Sequence, residues 1–220
     1  MKKTLLILLT ITLSFSLFGC SSDDGYEHDV PKEIVVSLQD LPYIDYLSVK
    51  NPVVTITVKD IGEIKLQLFR NIAPETVNSF ILYIQEEAYN DNEFARTVAN
   101  VLIQGGHLPD EECRIFGEMT NNGFDNPVEF DRGIIGMARL TGLYNSQISS
   151  FFIMNSKQPS FDDEYTAFGG VISGFNVLDY IASLELSDTE TPITKITIES
   201  ITVELNGYET TDRVCNTDQY

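Results

Sequence analysis

Alternation between hydrophobic and polar residues is the clearest pattern along the chain. Between residues 54 and 58, and again between residues 64 and 68, every second position holds Val, Ile or Leu. A period of two is typical of a strand that buries one face. Because Asp60-Ile61-Gly62 supplies turn residues between the two runs, the sequence predicts a β-hairpin here.

Two other segments carry hydrophobic residues at helical spacing. Ala73-Pro74-Glu75-Thr76 places a proline and an acid where a helix begins, and hydrophobic positions then recur three or four residues apart up to Ile84. Residues 177–182 show a second face of the same kind. Further short strands are predicted near 94–98, 101–104, 134–137, 151–154, 166–171 and 196–205. Many short strands with two separated helices predict a mainly β fold, an antiparallel barrel or sandwich.

The composition indicates a globular domain and argues against some kinds of binding partner. At 220 residues with 43% hydrophobic positions, the chain can bury the core of one domain without metal or disulfide staples. Asp and Glu number 33 against 14 Lys and Arg, and the resulting net charge of −19 argues against a nucleic-acid partner. Only two histidines are present, His28 and His107, and we expect no metal, no cofactor and a monomeric protein.

The first twenty residues have the pattern of an export signal. Met1-Lys2-Lys3 is basic, residues 4–18 are uncharged and too short for a comfortable membrane span, and the segment ends in Leu17-Phe18-Gly19-Cys20. This ending resembles a bacterial lipobox, in which cleavage precedes a cysteine that becomes lipidated. The resemblance implies a lipoprotein signal peptide at 1–19 and a membrane anchor through lipid on Cys20. The protein would then lie in the bacterial cell envelope, at the outer membrane on its periplasmic or surface face. An ordinary cleaved signal with an incidental cysteine is the alternative.

Residues 20–51 and 206–220 lack the patterns of the central segment. Residues 20–51 are acidic and contain prolines, and they are predicted to be a tether in which 33–38 adds a short strand. His28 lies among acids at 23, 24, 27 and 29, which could be drawn as a metal site. A solvated linker is the favoured interpretation, because no fixed geometry is implied. Residues 206–220 are a polar C-terminal tail, which leaves 52–205 as the folded domain.

Six motifs follow one another along the central segment. In chain order they are Ala73-Pro74-Glu75-Thr76-Val77-Asn78-Ser79-Phe80, Phe94-Ala95-Arg96, Leu102-Ile103-Gln104-Gly105-Gly106, Gly133-Ile134-Ile135-Gly136-Met137-Ala138-Arg139, Ser149-Ser150-Phe151-Phe152-Ile153 and Phe161-Asp162-Asp163-Glu164-Tyr165-Thr166-Ala167-Phe168-Gly169. These motifs resemble those of the cyclophilin family of peptidyl-prolyl cis-trans isomerases, and the resemblance covers 52–205 in the family's order and spacing. It implies a closed eight-stranded antiparallel barrel capped by two α-helices, with a substrate groove on its outer face.

The resemblance also implies which residues act on proline-containing segments of unfolded or exported polypeptides. An X–Pro bond rotates over a barrier of roughly 18–20 kcal/mol, which a guanidinium can lower by donating a hydrogen bond to the twisted prolyl nitrogen. By the resemblance Arg96 is this donor, and Gln104 holds the substrate backbone and Arg96. The residues that would line the proline socket and its edge are Val101, Leu102, Ala138, Phe152, Phe161 and Tyr165. A surface ion pair is the alternative for Arg96, as ordinary core packing is for Leu102 and Phe152.

Two departures from the family pattern bear on activity. Val101 stands where the family places a large aromatic residue in the groove, and Ser150 stands where a glutamine precedes the paired phenylalanines. Both changes reduce contact with a bound peptide. Three functions are therefore weighed: a lipid-anchored isomerase that assists exported proteins, a weakly active or inactive module that binds proline-containing peptides, and a structural surface lipoprotein. Arg96 and Gln104 favour the isomerase.

Cys113 and Cys215 remain as a pair if Cys20 carries lipid. An even pair in an exported chain favours a disulfide, which would clip the polar tail to the loop after Gly106. Two unpaired thiols on separate segments are the alternative, because the sequence does not give the distance between them.

Overall fold

The computed structural model describes residues 28–33, 35–109 and 111–217, which form nine β-strands and two α-helices. The strands are β1 (Val53–Val58), β2 (Gly62–Leu68), β3 (Asn92–Glu93), β4 (Arg96–Val98), β5 (Leu102–Gly105), β6 (Ile134–Met137), β7 (Phe151–Met154), β8 (Ala167–Ser173) and β9 (Thr197–Glu204). The helices are α1 (Pro74–Gln85) and α2 (Phe175–Ala182), and short 3-10 helices lie at Leu38–Asp40, Ile44–Tyr46, Thr120–Asn122 and Pro159–Phe161. The predicted signal peptide and Cys20 lie outside the described residues. Within those residues, no helix has the length and hydropathy needed to cross a membrane.

All nine strands belong to one antiparallel sheet, in the order β3-β9-β1-β2-β8-β6-β7-β5-β4. Its two edge strands, β3 and β4, are separated in the chain by Phe94 and Ala95 alone. Three Cα–Cα steps span at most about 11 Å. The sheet must therefore curl until its two edges almost meet.

This curled sheet of nine strands with two unpaired edges corrects the prediction of a closed eight-stranded barrel. The strand expected near 94–98 is formed only at Arg96–Val98, which pairs with β5, and an additional strand that was not predicted, Asn92–Glu93, pairs with β9. The two strands are separated at Phe94, whose side chain is buried and whose N–H donates to the Ile196 carbonyl oxygen at 3.0 Å. They are the two edge strands of the sheet and do not pair with each other.

The core lies inside the curl of the sheet and beneath α1. Alternate residues of β1 are buried, as its period of two predicts. Phe80 of α1 inserts among inward-facing rings, with its centroid 5.5 Å from that of Phe151 and 5.2 Å from that of Phe168. A buried aromatic side chain removes about 150–250 Å² of surface from water, so these rings hold α1 on the sheet.

The N-terminal extension packs on the sheet instead of forming a free tether up to residue 51. Leu41 and Tyr43 are 4% and 2% exposed, and the Tyr43 hydroxyl donates a hydrogen bond to the Val171 carbonyl oxygen at 2.6 Å. Gly170 leaves room for this tyrosine, since a Cβ there would lie 2.5 Å from the ring. Burial of these two side chains makes the extension part of the folded domain.

The start of the described extension contacts α2. His28 Nδ1 lies 2.6 Å from the Tyr180 hydroxyl oxygen, and the Asn176 side-chain amide donates to the Pro31 carbonyl oxygen at 2.9 Å. The strand expected at 33–38 is not formed by the described residues of that segment, because Val35 is exposed and no neighbouring strand pairs with it. Among the described residues, no three His, Cys, Asp or Glu side chains are grouped as metal ligands.

The C-terminal tail is bonded to α1 and to the loop after β5. Asn78 of α1 exchanges two hydrogen bonds with the backbone of Thr211, at 3.0 and 2.9 Å. Cys113 and Cys215 form a disulfide with their Cα atoms 5.1 Å apart, which is the pairing that the cysteine count favoured. The bond connects the tail to the loop that borders a cavity of about 670 Å³.

Candidate active site

Three predicted site residues lie in one row across neighbouring strands. Arg96 of β4 is opposite Gln104 of β5, and Gln104 is opposite Phe152 of β7. Directly opposite residues point to the same face of a sheet, and neighbouring strands are about 4.8 Å apart. The backbones of Arg96 and Phe152 are therefore roughly 10 Å apart across two strand spacings. A peptide lying over Gln104 could contact the guanidinium on one side and the aromatic wall on the other.

The guanidinium of Arg96 is held from two sides and stays open to solvent. Its Nη1 donates to Gln104 Oε1 at 3.2 Å, its Nε donates to Glu190 Oε2 at 2.8 Å, and its Nη2 lies 2.7 Å from the same carboxylate oxygen in an ion pair. The side chain is 45% exposed. The predicted contact with Gln104 and the alternative of a surface ion pair therefore both describe part of its environment.

Aromatic rings enclose Phe152 on the groove face. Phe161 and Tyr165 stack with their centroids 4.9 Å apart, and each meets Phe152 edge-on, at 5.6 and 5.5 Å. A hydrogen bond from the Tyr165 backbone N–H to the Phe161 carbonyl oxygen holds the two residues in one turn. Offset stacking and edge-to-face contact are the arrangements that aromatic quadrupoles favour. The three rings form one rigid wall.

Phe130 completes this wall, although the sequence analysis did not select it. Its ring stacks on Phe152 at 5.7 Å and contacts Phe161 at 5.9 Å. Gly136, opposite Phe152 in the register, leaves space for both rings, since a Cβ there would lie 2.5 Å from Phe152 and 2.7 Å from Phe130. Phe130 belongs to the irregular segment before β6, so no hydrophobic period marks it in the sequence.

Little apolar surface is open at the bottom of the predicted socket. Leu102 and Phe152 are each only 2% exposed, so the alternative of core packing describes most of their surface. Val101 lies in the turn before β5 and is partly buried, as are Phe161 and Tyr165. Contact with a prolyl ring would therefore fall mainly to these three side chains.

A cavity of about 670 Å³ lies to one side of the aromatic wall. Of the eight predicted catalytic and binding residues, Gln104 and Ala138 line it. Its other walls come from residues 107–109, 111–112, 114, 139–140, 146 and 148–150. The cavity extends the groove beyond Gln104 instead of lying over Phe152.

A second arginine, Arg139, supports the aromatic wall from the protein interior. Its side chain is only 6% exposed and lies between two rings, with its guanidinium carbon 4.9 Å from the Tyr144 centroid and 4.6 Å from that of Tyr165. Its Nη2 donates to Glu164 Oε2 at 2.9 Å, and its Nε donates to the Glu164 carbonyl oxygen at 3.0 Å. These bonds fix the position of Tyr165.

Comparison with known proteins identifies the family. Residues 53–203 match the family described as cyclophilin type peptidyl-prolyl cis-trans isomerase/CLD. Peptidyl-prolyl cis-trans isomerase-like 3 of Gallus gallus is 30% identical over 154 residues, which cover 68% of this chain and 94% of that protein. The Homo sapiens protein of the same name is 30% identical over 155 residues, with the same coverage.

A solved structure supports the same conclusion. The crystal structure of a cyclophilin type peptidyl-prolyl cis-trans isomerase from Cryptosporidium parvum, in the presence of the dipeptide Ala-Pro, superposes with a TM-score of 0.63. It is 26% identical in sequence and covers 69% of this chain and 98% of its own. The family match, the two relatives and the shared fold agree over the same central segment. The chain therefore belongs to the cyclophilin-type peptidyl-prolyl cis-trans isomerase family.

Proposed function

We propose that this protein is a catalytically active peptidyl-prolyl isomerase that assists the folding of exported proteins, held in the bacterial cell envelope by lipid on Cys20. The row formed by Arg96, Gln104 and Phe152 carries the catalytic part of the proposal. The signal-like N-terminus and the lipobox pattern support the location. The disulfide between Cys113 and Cys215 is consistent with it, because disulfides persist in oxidising compartments.

The proposed catalysis depends on the hydrogen-bonding capacity of Arg96. A guanidinium has five N–H groups, and among the described residues two of those of Arg96 donate hydrogen bonds, one to Glu190 and one to Gln104. The remaining N–H groups can donate to the lone pair that the prolyl nitrogen gains as the amide twists. Because this bond is stronger in the twisted state than in the planar one, it lowers the barrier to rotation. The guanidinium cannot lose its charge at any physiological pH.

The aromatic wall would hold the prolyl ring while the acyl half of the bond turns. Phe161 and Tyr165 are partly exposed and fixed by stacking, so they can offer ring faces without losing further side-chain freedom. Gln104 lies between this wall and Arg96, where its side-chain amide can bond to the peptide backbone. Clients would thus be proline-containing segments in extended, unfolded stretches of chain.

A module that binds proline-containing peptides with weak or no catalysis is the second candidate. The near-complete burial of Leu102 and Phe152 favours it, since a shallow socket grips the ring less firmly. Val101 adds little contact where a large ring would add more. Binding that is equally strong in the planar and twisted states gives no acceleration.

NMR exchange spectroscopy on a proline tetrapeptide separates these two functions. With the chain lacking residues 1–19 at micromolar concentration, we expect faster cis-trans exchange, and we expect Arg96→Ala to abolish most of the increase. Peptide shift changes without faster exchange would establish the binding module instead. An unperturbed peptide would contradict both.

The anchor is tested separately by labelling with a tagged fatty acid in a bacterial host. We expect the full-length chain to incorporate the label and the Cys20→Ser variant to lose it. Equal labelling of both chains, or labelling of neither, would contradict lipidation at Cys20 and leave the catalytic proposal unaffected.

A further inference from the structure

A loop far away in the sequence delivers a carboxylate to Arg96. Glu190 Oε2 accepts a hydrogen bond from Arg96 Nε at 2.8 Å and lies 2.7 Å from Nη2 in an ion pair. The two residues are 94 positions apart, and Glu190 was not selected from the sequence. Charge-assisted hydrogen bonds of this length are among the stronger ones in proteins.

The loop that carries Glu190 is built to hold one shape. Leu186 and Pro192 form an antiparallel bridge, and the Ser187 backbone N–H donates to the Thr191 carbonyl oxygen at 2.8 Å. Glu190 has a φ of 61°, a left-handed conformation that a glutamate adopts only when its surroundings hold it there.

The backbone of Glu190 also attaches its loop to β4, the strand that carries Arg96. Its carbonyl oxygen accepts a hydrogen bond at 2.7 Å from the N–H of Thr97, the residue that follows Arg96 on β4. Backbone and side chain of one residue therefore contact two successive residues of the edge strand. This double attachment leaves little freedom in where the carboxylate lies.

We infer that Glu190 is a positioning residue for the isomerase reaction, which fixes the plane of the Arg96 guanidinium. The inference rests on the proposed catalytic function. Gln104 binds Nη1 alone, and a single bond leaves the guanidinium free to rotate about it. Glu190 accepts a hydrogen bond from Nε and forms an ion pair with Nη2, so the group is held from both sides with N–H groups still available to the substrate.

A purely structural role does not account for this ion pair. The two side chains are 45% and 46% exposed, and ion pairs this open to solvent contribute little to folding stability. The edge strand is already attached to the loop through the Thr97 N–H. What the side-chain bonds add is a fixed direction for the guanidinium.

Steady-state kinetics on Glu190 variants tests the inference. We expect Glu190→Ala to lower kcat about three- to tenfold with KM changed less than twofold, because the donor is misdirected while the aromatic wall is intact. Glu190→Gln keeps an acceptor oxygen and should recover part of the loss. The control is Asp188→Asn, which removes one charge from an exposed position of the same loop and should leave kcat unchanged. In an Arg96→Ala background, Glu190→Ala should have no further effect.

A second measurement does not require activity. The ¹⁵N relaxation of the Arg96 Nε–H reports the order of the guanidinium, which should fall in Glu190→Ala and stay unchanged in Asp188→Asn. An active parent protein whose Glu190→Ala variant keeps or raises kcat would overturn the inference while leaving the proposed function in place. An inactive parent protein would overturn the proposed function, and unchanged Nε order in Glu190→Ala would then overturn the positioning role as well.

Discussion

Two arginines border the groove, and their environments are opposite. Arg96 is 45% exposed, lies at an edge strand and bonds to two side chains, Gln104 and Glu190. Arg139 is 6% exposed, lies between two tyrosine rings and bonds to both the backbone and the carboxylate of Glu164. The Arg96 guanidinium therefore keeps N–H groups available to a ligand, whereas the Arg139 guanidinium is enclosed by the two rings and Glu164.

This difference in exposure distinguishes the two roles. Arg96 is placed to donate a hydrogen bond to a ligand, whereas Arg139 supports the aromatic wall. A hydrogen-bond donor in a groove must be open to solvent if a substrate is to reach it. Because Arg96 is open in this way, its ion pair contributes little to folding stability. Arg139 is enclosed, and its contacts hold Tyr165 in the aromatic wall. Substitutions at the two positions should therefore affect different quantities, activity at Arg96 and folding stability at Arg139.

The largest effect is expected from Arg96→Ala. A hydrogen bond from a charged donor contributes roughly 1.5–3 kcal/mol, so kcat/KM should fall about ten- to a hundredfold or more. The melting temperature should hardly change, because exposed ion pairs contribute about 0–1 kcal/mol. A protease-coupled isomerase assay and thermal unfolding measure the two quantities. Unchanged kcat/KM, or a large loss of stability, would break the comparison.

Arg139→Met should produce the opposite result. Methionine can fill the space between the two tyrosines, but Glu164 loses its charged partner, so we expect a loss of about 2 kcal/mol in unfolding free energy. Because Tyr165 is only loosened, kcat/KM should fall less than threefold. Urea denaturation provides the measurement. The matched control is Arg132→Met, whose pair with Asp179 is 37% and 43% exposed and which should lose about 1 kcal/mol or less. Equal losses at the two arginines would show that burial does not distinguish them.

Val101→Phe sharpens the comparison from the substrate side. Val101 is partly buried in the turn before β5, and a phenyl ring there should remove more of a bound peptide from water, at about 25 cal/mol per Å². We expect kcat/KM on short peptides to rise about two- to fivefold. A lower value with the fold intact would show that the groove is shaped for another ligand.

The smallest expected effect concerns a buried acid, Glu118, and its pH dependence. Its carboxylate accepts hydrogen bonds from the Glu75 and Thr76 backbone N–H groups at the start of α1, yet burial raises its pKa above the ordinary value of 4.5. A carboxyl with a raised folded-state pKa favours folding most at low pH, and this contribution is lost as pH rises through its titration.

The unfolding free energy of the parent protein minus that of Glu118→Gln should therefore fall as pH rises above about 4.5. Urea denaturation at a series of pH values up to 7 measures this difference. A difference independent of pH would show that the pKa of Glu118 is not raised in the folded protein.

The sequence pattern predicted those secondary-structure elements that are determined by residues close together in the chain. The alternation at 54–58 and 64–68 located β1 and β2, and the proline and acid at 74 and 75 located the start of α1. These elements follow from periodicity and from helix-terminus preferences, which neighbouring residues determine. The predicted bounds of β1 and β2 were correct to within about two residues.

Features that depend on distant contacts could not be predicted in the same way. The short strand at Asn92–Glu93 was not predicted, because it forms only by pairing with β9, whereas the neighbouring Arg96–Val98 pairs with β5. The burial of Tyr43 depends on space left by Gly170, which is 127 residues away in the sequence. Glu190 reaches Arg96 only because a loop adopts a left-handed backbone angle. None of these has a periodic signature.

The docked N-terminal extension sets how far the domain could move from a membrane. If all of 20–51 were free, a lipid on Cys20 would let the domain range over about 110 Å, at roughly 3.5 Å per residue. Since His28 and Pro31 contact α2, only the stretch between Cys20 and His28 would separate the domain from a lipid on Cys20, and it spans at most about 28 Å. A lipid-anchored protein with this short connection would stay within about 28 Å of the membrane surface. It would therefore encounter only those polypeptides that come close to the membrane.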